Sequence, residues 1–369
     1  MKVLLINSVC GIRSTGRIAA GIAAEYIADG NECRIAYGRE HAPAEYSGIA
    51  VRIGSEAEVR YNALAARILD NEGFGAVRAT RRFLKWADEY DPDVLWLHNL
   101  HGYYINAHML FDWIKSRPQM TVRWTLHDCW AFTGHCAHFT YAGCTQWRTG
   151  CQKCPQKGSC PKSIFADNCK RNYQKKKEAF CGVADMTLIT PSNWLCGLVR
   201  QSFLGGYRTE VVHNTIDCDV FRPTAGDFRS KHGIEDKQMI LGVASAWSER
   251  KGLYDFVRLS DMLAGEAVVV LVGLDRAQAA KMPRGIIAIE RTDSKKELAE
   301  IYTCADVFVN LTYEDTYPTV NLEAQACGTP CITYRTGGCA ETVPPENTVE
   351  PGDLVSLVQK IKKLGRKMN

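Results

Sequence analysis

The 369-residue sequence has no apolar run that approaches the length of a membrane-spanning helix, and its opening stretch, Met1 to Asn7, is too short for a secretory leader. It has no low-complexity tract and no internal repeat, which excludes fibrous and solenoid classes. A Gly-x-Gly-x-x-Gly fingerprint is absent, which argues against a dinucleotide enzyme. The net charge of +4 is too modest to call for a nucleic-acid partner. What these absences leave is an ordinary globular protein, 46% hydrophobic and 23% charged, long enough for two domains and expected in the cytoplasm.

Cysteine, by contrast, is abundant, with 16 residues. Without an export signal these read as reduced thiols or metal ligands rather than a disulfide framework. Cys10, Cys33, Cys181, Cys196, Cys304, Cys327 and Cys331 lie in apolar contexts and read as packing residues. A dense segment over 129–160 carries Cys129, Cys136, Cys144, Cys151, Cys154 and Cys160. Its C-x2-C pair, Cys151 and Cys154, lets two thiolates share one metal, and Cys136 and Cys144 can complete a structural zinc site that staples a polar segment short of core. Buried free thiols are the alternative.

Strand-like apolar runs alternate with helical stretches throughout, the pattern of parallel α/β layers. The polar, Pro-bounded stretch from Asn214 to Thr224 marks a junction between an amino-terminal domain over 1–214, which includes the Cys-rich insertion, and a second α/β domain over 215–350. A basic helix over 351–369 follows. Ligands in open α/β sheets bind beyond the carboxyl ends of the strands, so chemistry is expected there.

The stretch from Tyr313 to Ala324 places acids at both ends of a loop-to-helix transition. The helix expected over Val320 to Cys327 offers unpaired N–H groups and a positive dipole end to a diphosphate. Asp315 or Glu314 can grip sugar hydroxyls, Glu323 can accept from a ribose, and backbone groups of Tyr317, Pro318, Thr319 and Val320 lie against phosphates or hexose. A solvated acidic loop before a core helix is the plainer reading. Arg250 and Lys251, after the strand ending near Ser245, can offset charge on a departing diphosphate, or simply be solvated. His127 and Asp128 close an apolar strand where α/β folds build sites. Ser14, Thr15 and Gly16, in a Gly-rich turn after the first strand, are placed to contact acceptor or phosphate. Asp91-Pro92-Asp93 and Asp217-Cys218-Asp219 imitate an Asp-x-Asp metal motif but read as turn and linker.

The ordered set of Ser14-Thr15-Gly16-Arg17, Pro191-Ser192-Asn193-Trp194, His213-Asn214-Thr215, Phe221-Arg222-Pro223, Arg250-Lys251-Gly252, Leu271-Val272-Gly273, the Asp315 to Glu323 segment and Ala326-Cys327-Gly328-Thr329-Pro330 resembles family-4 retaining glycosyltransferases. The resemblance runs from the first strand to about Thr342. The Cys-rich insertion after His127 and Asp128 is similar to members that build bacterial capsule, exopolysaccharide and colanic-acid-type polymers. The resemblance implies a GT-B fold, two Rossmann-like domains facing across a cleft. It also implies transfer of a hexose with retention from a UDP- or GDP-sugar to a saccharide or lipid-linked saccharide, with no cofactor required for catalysis. Seven residues separate Asp315 from Glu323, as in relatives, which favours Asp315 over Glu314 as the sugar-contacting acid. A histidine at the position of His127 lies near the transferred sugar in that family. The chain departs from it at Ala246 and Trp247, where relatives carry an Arg, and Arg250 is the candidate substitute. A catalytically weak binding subunit and a nucleotide-sugar epimerase of the same fold are the alternatives. The basic stretch Lys170 to Lys177 reads as a solvated helix face or an attraction to anionic lipid on the inner face of the plasma membrane, with the Lys360 to Lys367 tail adding to it.

Overall fold

Period-2 burial explains the first sheet directly: on the opening strand Val3 and Leu5 enter one core cluster and Leu4 and Ile6 the other, so both faces are covered. In the computed structural model, residues 1–159 and 161–365 are described. Cys160 and the end of the Lys360 to Lys367 tail lie outside them. The chain forms two compact units, Met1–His213 and Asn214–Asn369, divided one residue before the expected junction.

The amino-terminal unit holds a seven-stranded sheet: β1 (Lys2–Asn7), β2 (Glu32–Tyr37), β3 (Ala50–Arg52), β4 (Val94–Leu97), β5 (Thr121–Thr125), β6 (Met186–Thr190) and β7 (Arg208–Val211), in the order β3-β2-β1-β4-β5-β6-β7. The second unit holds β8 (Gln238–Val243), β9 (Ala267–Val272), β10 (Ile286–Ile289), β11 (Val307–Asn310), β12 (Cys331–Tyr334) and β13 (Thr348–Val349), ordered β10-β9-β8-β11-β12-β13. The pairings in both sheets are parallel. Each sheet reverses its winding once, between β1 and β4 and between β8 and β11. Crevices outside the carboxyl ends of strands at such reversals are where doubly wound sheets take ligands.

Several elements differ from the sequence expectation. Ser14, Thr15 and Gly16 lie in the first turn of the helix Arg13–Ala28, not in a free turn before it. The terminal helix Leu354–Leu364 is no separate body, because Leu354, Leu357 and Ile361 enter the core of the second unit. On it Lys360 donates to the Glu346 carbonyl and Lys362 pairs with Glu266 at 2.6 Å. The basic run on the helix Cys169–Phe180 is not a uniform solvated face: Lys176 is buried, as are Asn172 and Tyr173. Of the seven cysteines read as packing, Cys10, Cys33, Cys196, Cys327 and Cys331 are buried, whereas Cys181 and Cys304 are partly exposed.

Candidate functional site

In the second unit, the loops leaving β8 and β11 are sewn together by backbone. Tyr313 N–H donates to the Arg250 carbonyl at 2.8 Å, and the short turn Glu249–Lys251 ends at Gly252, whose φ of 75° suits glycine. A Cβ on Gly252 would lie 2.3 Å from the Leu311 carbonyl oxygen, so the two loops approach only because glycine is there. Beneath them Asp255, buried on the helix Leu253–Met262, accepts from the hydroxyls of Tyr313 at 2.6 Å and Tyr334 at 2.8 Å. That shared carboxylate fixes the acidic loop from below.

The result is a contact between residues 64 apart in sequence: Lys251 Nζ lies 2.8 Å from Asp315 Oδ2, with the two side chains 23% and 22% exposed. Arg250 donates to the Glu314 carbonyl at 3.2 Å and its Nε lies 4.0 Å from the Glu314 carboxylate, whose side chain is only 1% exposed. Of the two candidate acids, Asp315 is therefore the accessible one. Its carbonyl accepts from Gly338 N–H at 3.0 Å, and a Cβ on Gly337 would lie 2.1 Å from that same oxygen. The Gly337-Gly338 turn after β12 is thus a part of the site that the sequence reading missed, although a Gly-Gly pair after an apolar run is a visible signal.

The helix Thr319–Ala326 follows, with Pro318 at its cap position and no side-chain cap. Proline has no N–H, and Tyr317 N–H is 3.3 Å from Asp315 Oδ1, so the donors of the opening turn begin at Thr319. Thr319 and Val320 are half-buried. The Tyr317 carbonyl accepts from Asn214. Asn321 anchors the helix by bonding Asn310 and Thr342. One turn in, Glu323 is 8% exposed and accepts from the buried Tyr302 hydroxyl at 3.1 Å through Oε2. Trp247 is buried, donates to the Val272 carbonyl and packs edge-on against Phe256, so position 247 belongs to the core beneath this loop.

In the first unit, beyond β1, β4 and β5, Asn7 and His98 are buried and His101, His127 and Asp128 are partly buried. Asn7 at the end of β1 accepts from Asn99 N–H and donates to the Val9 carbonyl, and its amide lies 3.4 Å from the Thr15 hydroxyl; Ser14 is exposed and Gly16 buried. His98 and His127 stack, ring centroids 5.3 Å apart, with a 3.0 Å hydrogen bond between Nδ1 and Nε2. Burial pushes His127 down to about 4, although Asp128 pulls the other way, and burial, with the neighbouring His127, holds His98 well below the usual imidazole range. Both are neutral near pH 7. His101 pairs with Asp128 at 2.8 Å. Burial lowers His101, but the Asp128 charge and hydrogen bond outweigh it and raise the imidazole; burial raises Asp128 in turn, but His101 outweighs it and holds the carboxyl low. The Asp128 carboxylate also caps Trp130 N–H at 2.8 Å.

Lys176 is the residue here that the sequence hid inside a basic run. Its ammonium donates to the Trp130 carbonyl at 2.7 Å and sits 3.6 Å from the Trp130 ring centroid, and burial draws it down to about 7. It supports the loop that carries Asp128.

Cys136, Cys144, Cys151 and Cys154 line one small cavity with Phe139 and Trp147. The segment is not short of core as expected: Trp130, Phe132, Phe139 and Trp147 are buried in it, Phe139 stacked on Trp147 at 4.9 Å. The thiols bond to their surroundings, Cys151 Sγ accepting from Gly134 N–H at 3.2 Å and the Cys136 thiol bond drawing Cys154 down to about 7. Among the described residues no three His, Cys, Asp or Glu side chains are placed to hold a metal ion. Asp91 ends the helix Val77–Tyr90 and Asp93 accepts from Lys2 N–H at the start of β1, while Asp217 Oδ1 accepts from Asp219 and Val220 N–H in a local turn.

The sequence profile of the family described as Glycosyl transferases group 1 matches residues 225–367, within the second unit. The chain is 27% identical over 292 residues to the putative colanic acid biosynthesis glycosyl transferase WcaC of Escherichia coli K12, an alignment covering 73% of this chain and 66% of that protein. It is 28% identical to a D-inositol 3-phosphate glycosyltransferase of Mycobacteroides abscessus over 38% of this chain and 34% of that protein. The chain thus spans just under two thirds of the first relative and about one third of the second. Among solved structures, sucrose-phosphate synthase of Thermosynechococcus elongatus superimposes with a TM-score of 0.68 at 16% identity, covering 98% of this chain and 89% of that one. Anabaena HepE in complex with UDP and glucose gives 0.62 at 14% identity, covering 98% and 89%. The fold is GT-B, and its carboxyl-terminal unit is a glycosyl transferases group 1 domain.

Proposed function

We propose that the chain is a hexosyltransferase of the family-4 retaining type, taking its sugar from a nucleoside diphosphate, with UDP the first nucleotide to test because UDP is bound in the HepE structures. The observation that carries this reading is the exchangeable Lys251–Asp315 pair at the β8–β11 reversal, beside an uncapped helix start. A diphosphate and a hexose arriving together satisfy both partners: the phosphate takes Lys251 and the N–H groups from Thr319 onward, and sugar hydroxyls take Asp315. Arg250 adds a second cation, and Glu323, held by Tyr302, bonds the ribose.

Lys251, Arg250 and the helix start stabilise the charge that grows on the phosphate oxygen as its bond to the anomeric carbon breaks. The acceptor hydroxyl forms the new bond on the same face and passes its proton to that oxygen, which gives retention without a protein nucleophile. Neutral His127, with Asp128 oriented by His101, is assigned to the sugar and acceptor side. Similarity to WcaC, named for colanic acid biosynthesis, supports a place in bacterial surface polysaccharide synthesis, and a saccharide or lipid-linked saccharide is the acceptor this reading expects.

Incubation with UDP- and GDP-hexoses and a saccharide acceptor tests this. Nucleoside diphosphate release should match sugar transferred, with the anomeric configuration kept and the rate unchanged by EDTA. Nucleotide binding without turnover would indicate a binding subunit. An altered sugar without transfer would indicate an epimerase.

A further inference from the structure

Six large apolar side chains of the amino-terminal unit stand exposed in one neighbourhood: Tyr61 at 71%, Leu64 at 57%, Ile68 at 41%, Leu69 at 52%, Ile164 at 53% and Phe165 at 73%. Tyr61, Leu64 and Ile68 follow helical spacing along the helix Glu56–Leu69, so they share a stripe. The segment carrying Ile164 and Phe165 is tied to the end of that helix by main-chain bonds, Ile164 N–H to the Arg67 carbonyl at 2.7 Å and Ala166 N–H to the Ile68 carbonyl at 3.2 Å. Single exposed apolar residues are ordinary, whereas a joined ridge of this kind marks an interaction surface.

The surrounding charge says what covers it. Arg60 and Arg67 are exposed on the same helix, and the Lys157 ammonium rests on the Phe165 carbonyl at 3.2 Å. Beside Leu69 a cavity of about 200 Å³ opens between Phe74, Asn168, Asn172, Arg171 and Lys175. Arg171 and Lys175 are one turn apart on the helix Cys169–Phe180, a like-charge pair that destabilises itself until an anion arrives. Burial and then Arg171 lower Lys175, consistent with that strain. Of the acids nearby, Glu56 bonds Arg60 and His41, and Asp70, buried in the cavity wall, bonds His135, while the pull of Glu178 on Lys175 is smaller than the effects of burial and Arg171.

We propose that the Tyr61–Leu69 stripe and the Ile164–Phe165 turn form a docking face for an anionic lipid bilayer, the apolar ridge entering the acyl boundary and a phosphate headgroup seated between Arg171 and Lys175. This moves the membrane contact from the whole Lys170 to Lys177 run, where Lys176 is buried, to an aromatic and aliphatic ridge with a basic rim, the composition that interfacial segments use. A second copy of the chain is disfavoured as occupant because it would bring a matching basic rim. The use of such docking rests on the transferase reading with a membrane-borne acceptor, but the docking is measured without sugar transfer.

The full chain should float with vesicles of phosphatidylglycerol and phosphatidylcholine and stay behind with phosphatidylcholine alone. Phe165→Ser with Leu64→Ser should weaken that binding by tenfold or more, and Arg171→Gln or Lys175→Gln by roughly fivefold each, with a shallower salt dependence. All four side chains lie at the surface or a cavity wall, and an unchanged thermal midpoint confirms that the variants fold. Fluorescence of Phe165→Trp should shift to the blue on the anionic vesicles only. Equal binding to both vesicle types, unchanged binding in the variants, or a concentration-dependent dimer that Phe165→Ser disperses would each overturn the proposal. Sugar transfer to a water-soluble acceptor should be unaffected by these variants, which separates failure of docking from failure of the transferase.

Discussion

Beyond β4 and β5 the amino-terminal unit buries His98 and Lys176 at 1% exposure each and leaves the His101–Asp128 pair 20% and 15% exposed, whereas beyond β8 and β11 the carboxyl-terminal unit leaves Lys251 and Asp315 each more than a fifth exposed. The sheets wind alike and place polar residues beyond the carboxyl ends of their strands, but the energetic states differ. In the first unit, charges are held by fixed neighbours, as Asp128 is by His101 and Trp130 N–H, and burial moves their protonation. In the second, one salt bridge can be traded for a ligand at little cost, since partly exposed pairs are worth roughly 1 kcal/mol or less. Enclosure sets orientation and protonation in advance; exposure leaves a charge pair ready to exchange.

The sharpest way to break this contrast is to remove the exchangeable cation. Lys251→Ala should lower kcat by about 100-fold or more, the cost of deleting one electrostatic stabiliser of a transition state, with a smaller change in KM. The thermal midpoint should hardly move. A large loss of stability with intact kcat would mean that Lys251 is a structural ion pair like those of the first unit.

Next comes Glu323, which is buried like the groups of the first unit yet assigned to ligand. Glu323→Gln should weaken UDP binding by about 10- to 100-fold, the worth of one charge-assisted hydrogen bond, in a calorimetric titration. Its partner Tyr302 keeps an amide oxygen to bond, so the fold should persist. Unchanged affinity would reassign Glu323 to support of Tyr302 alone.

A smaller effect sharpens the other side of the comparison. The unfolded chain holds the Lys176 proton to the ordinary lysine range, while the folded chain releases it near 7. Between those values the unfolded state binds more protons, so stability rises with pH through that window. Well above neutrality the buried thiols reverse the slope, because burial raises Cys10, Cys33 and Cys151. Between about pH 7 and 8, then, the wild-type thermal midpoint should rise relative to that of Lys176→Met, which keeps the apolar stem, while raised His101 and His135 act in the opposite sense in both proteins. Parallel profiles for the two proteins would place the burial penalty on another group.

How much of this was legible follows the range over which each feature is encoded. Strands such as β1, β8 and β9 are continuous apolar runs that announce a sheet covered on both faces, and the seven-residue spacing of Asp315 and Glu323 is local. The three-residue β3 and two-residue β13 are too short for any periodicity to show. Lys176 carries the same letter as Lys175 and Lys177, and only the position of Trp130, 46 residues away, decides which of the three is buried. The Lys251–Asp315 contact likewise depends on Gly252 admitting Leu311 and on Asp255 gathering two tyrosines, which no spacing rule contains. The docking ridge was obscured for the same reason, since Phe165 joins Leu64 only through the main chain of Arg67 and Ile68.

The smallest expected effect concerns the insertion. Cys151 accepts one N–H bond from Gly134, and a serine there keeps an acceptor, so Cys151→Ser should lower the thermal midpoint of the first unit by no more than the loss of one hydrogen bond, about 1 kcal/mol. The buried ring cluster of Phe132, Phe139 and Trp147 gives the insertion an apolar core of its own. Nucleotide affinity should not change, because the proposed donor residues all lie in Asn214–Asn369. Elemental analysis of freshly purified protein, followed by differential scanning of wild type and variant with and without a chelator, measures both points. One equivalent of zinc, with a large chelator-sensitive fall on losing Cys151, would show that the four thiols close into a ligand set when metal is present, and that the insertion draws its stability from the metal rather than from its aromatic rings.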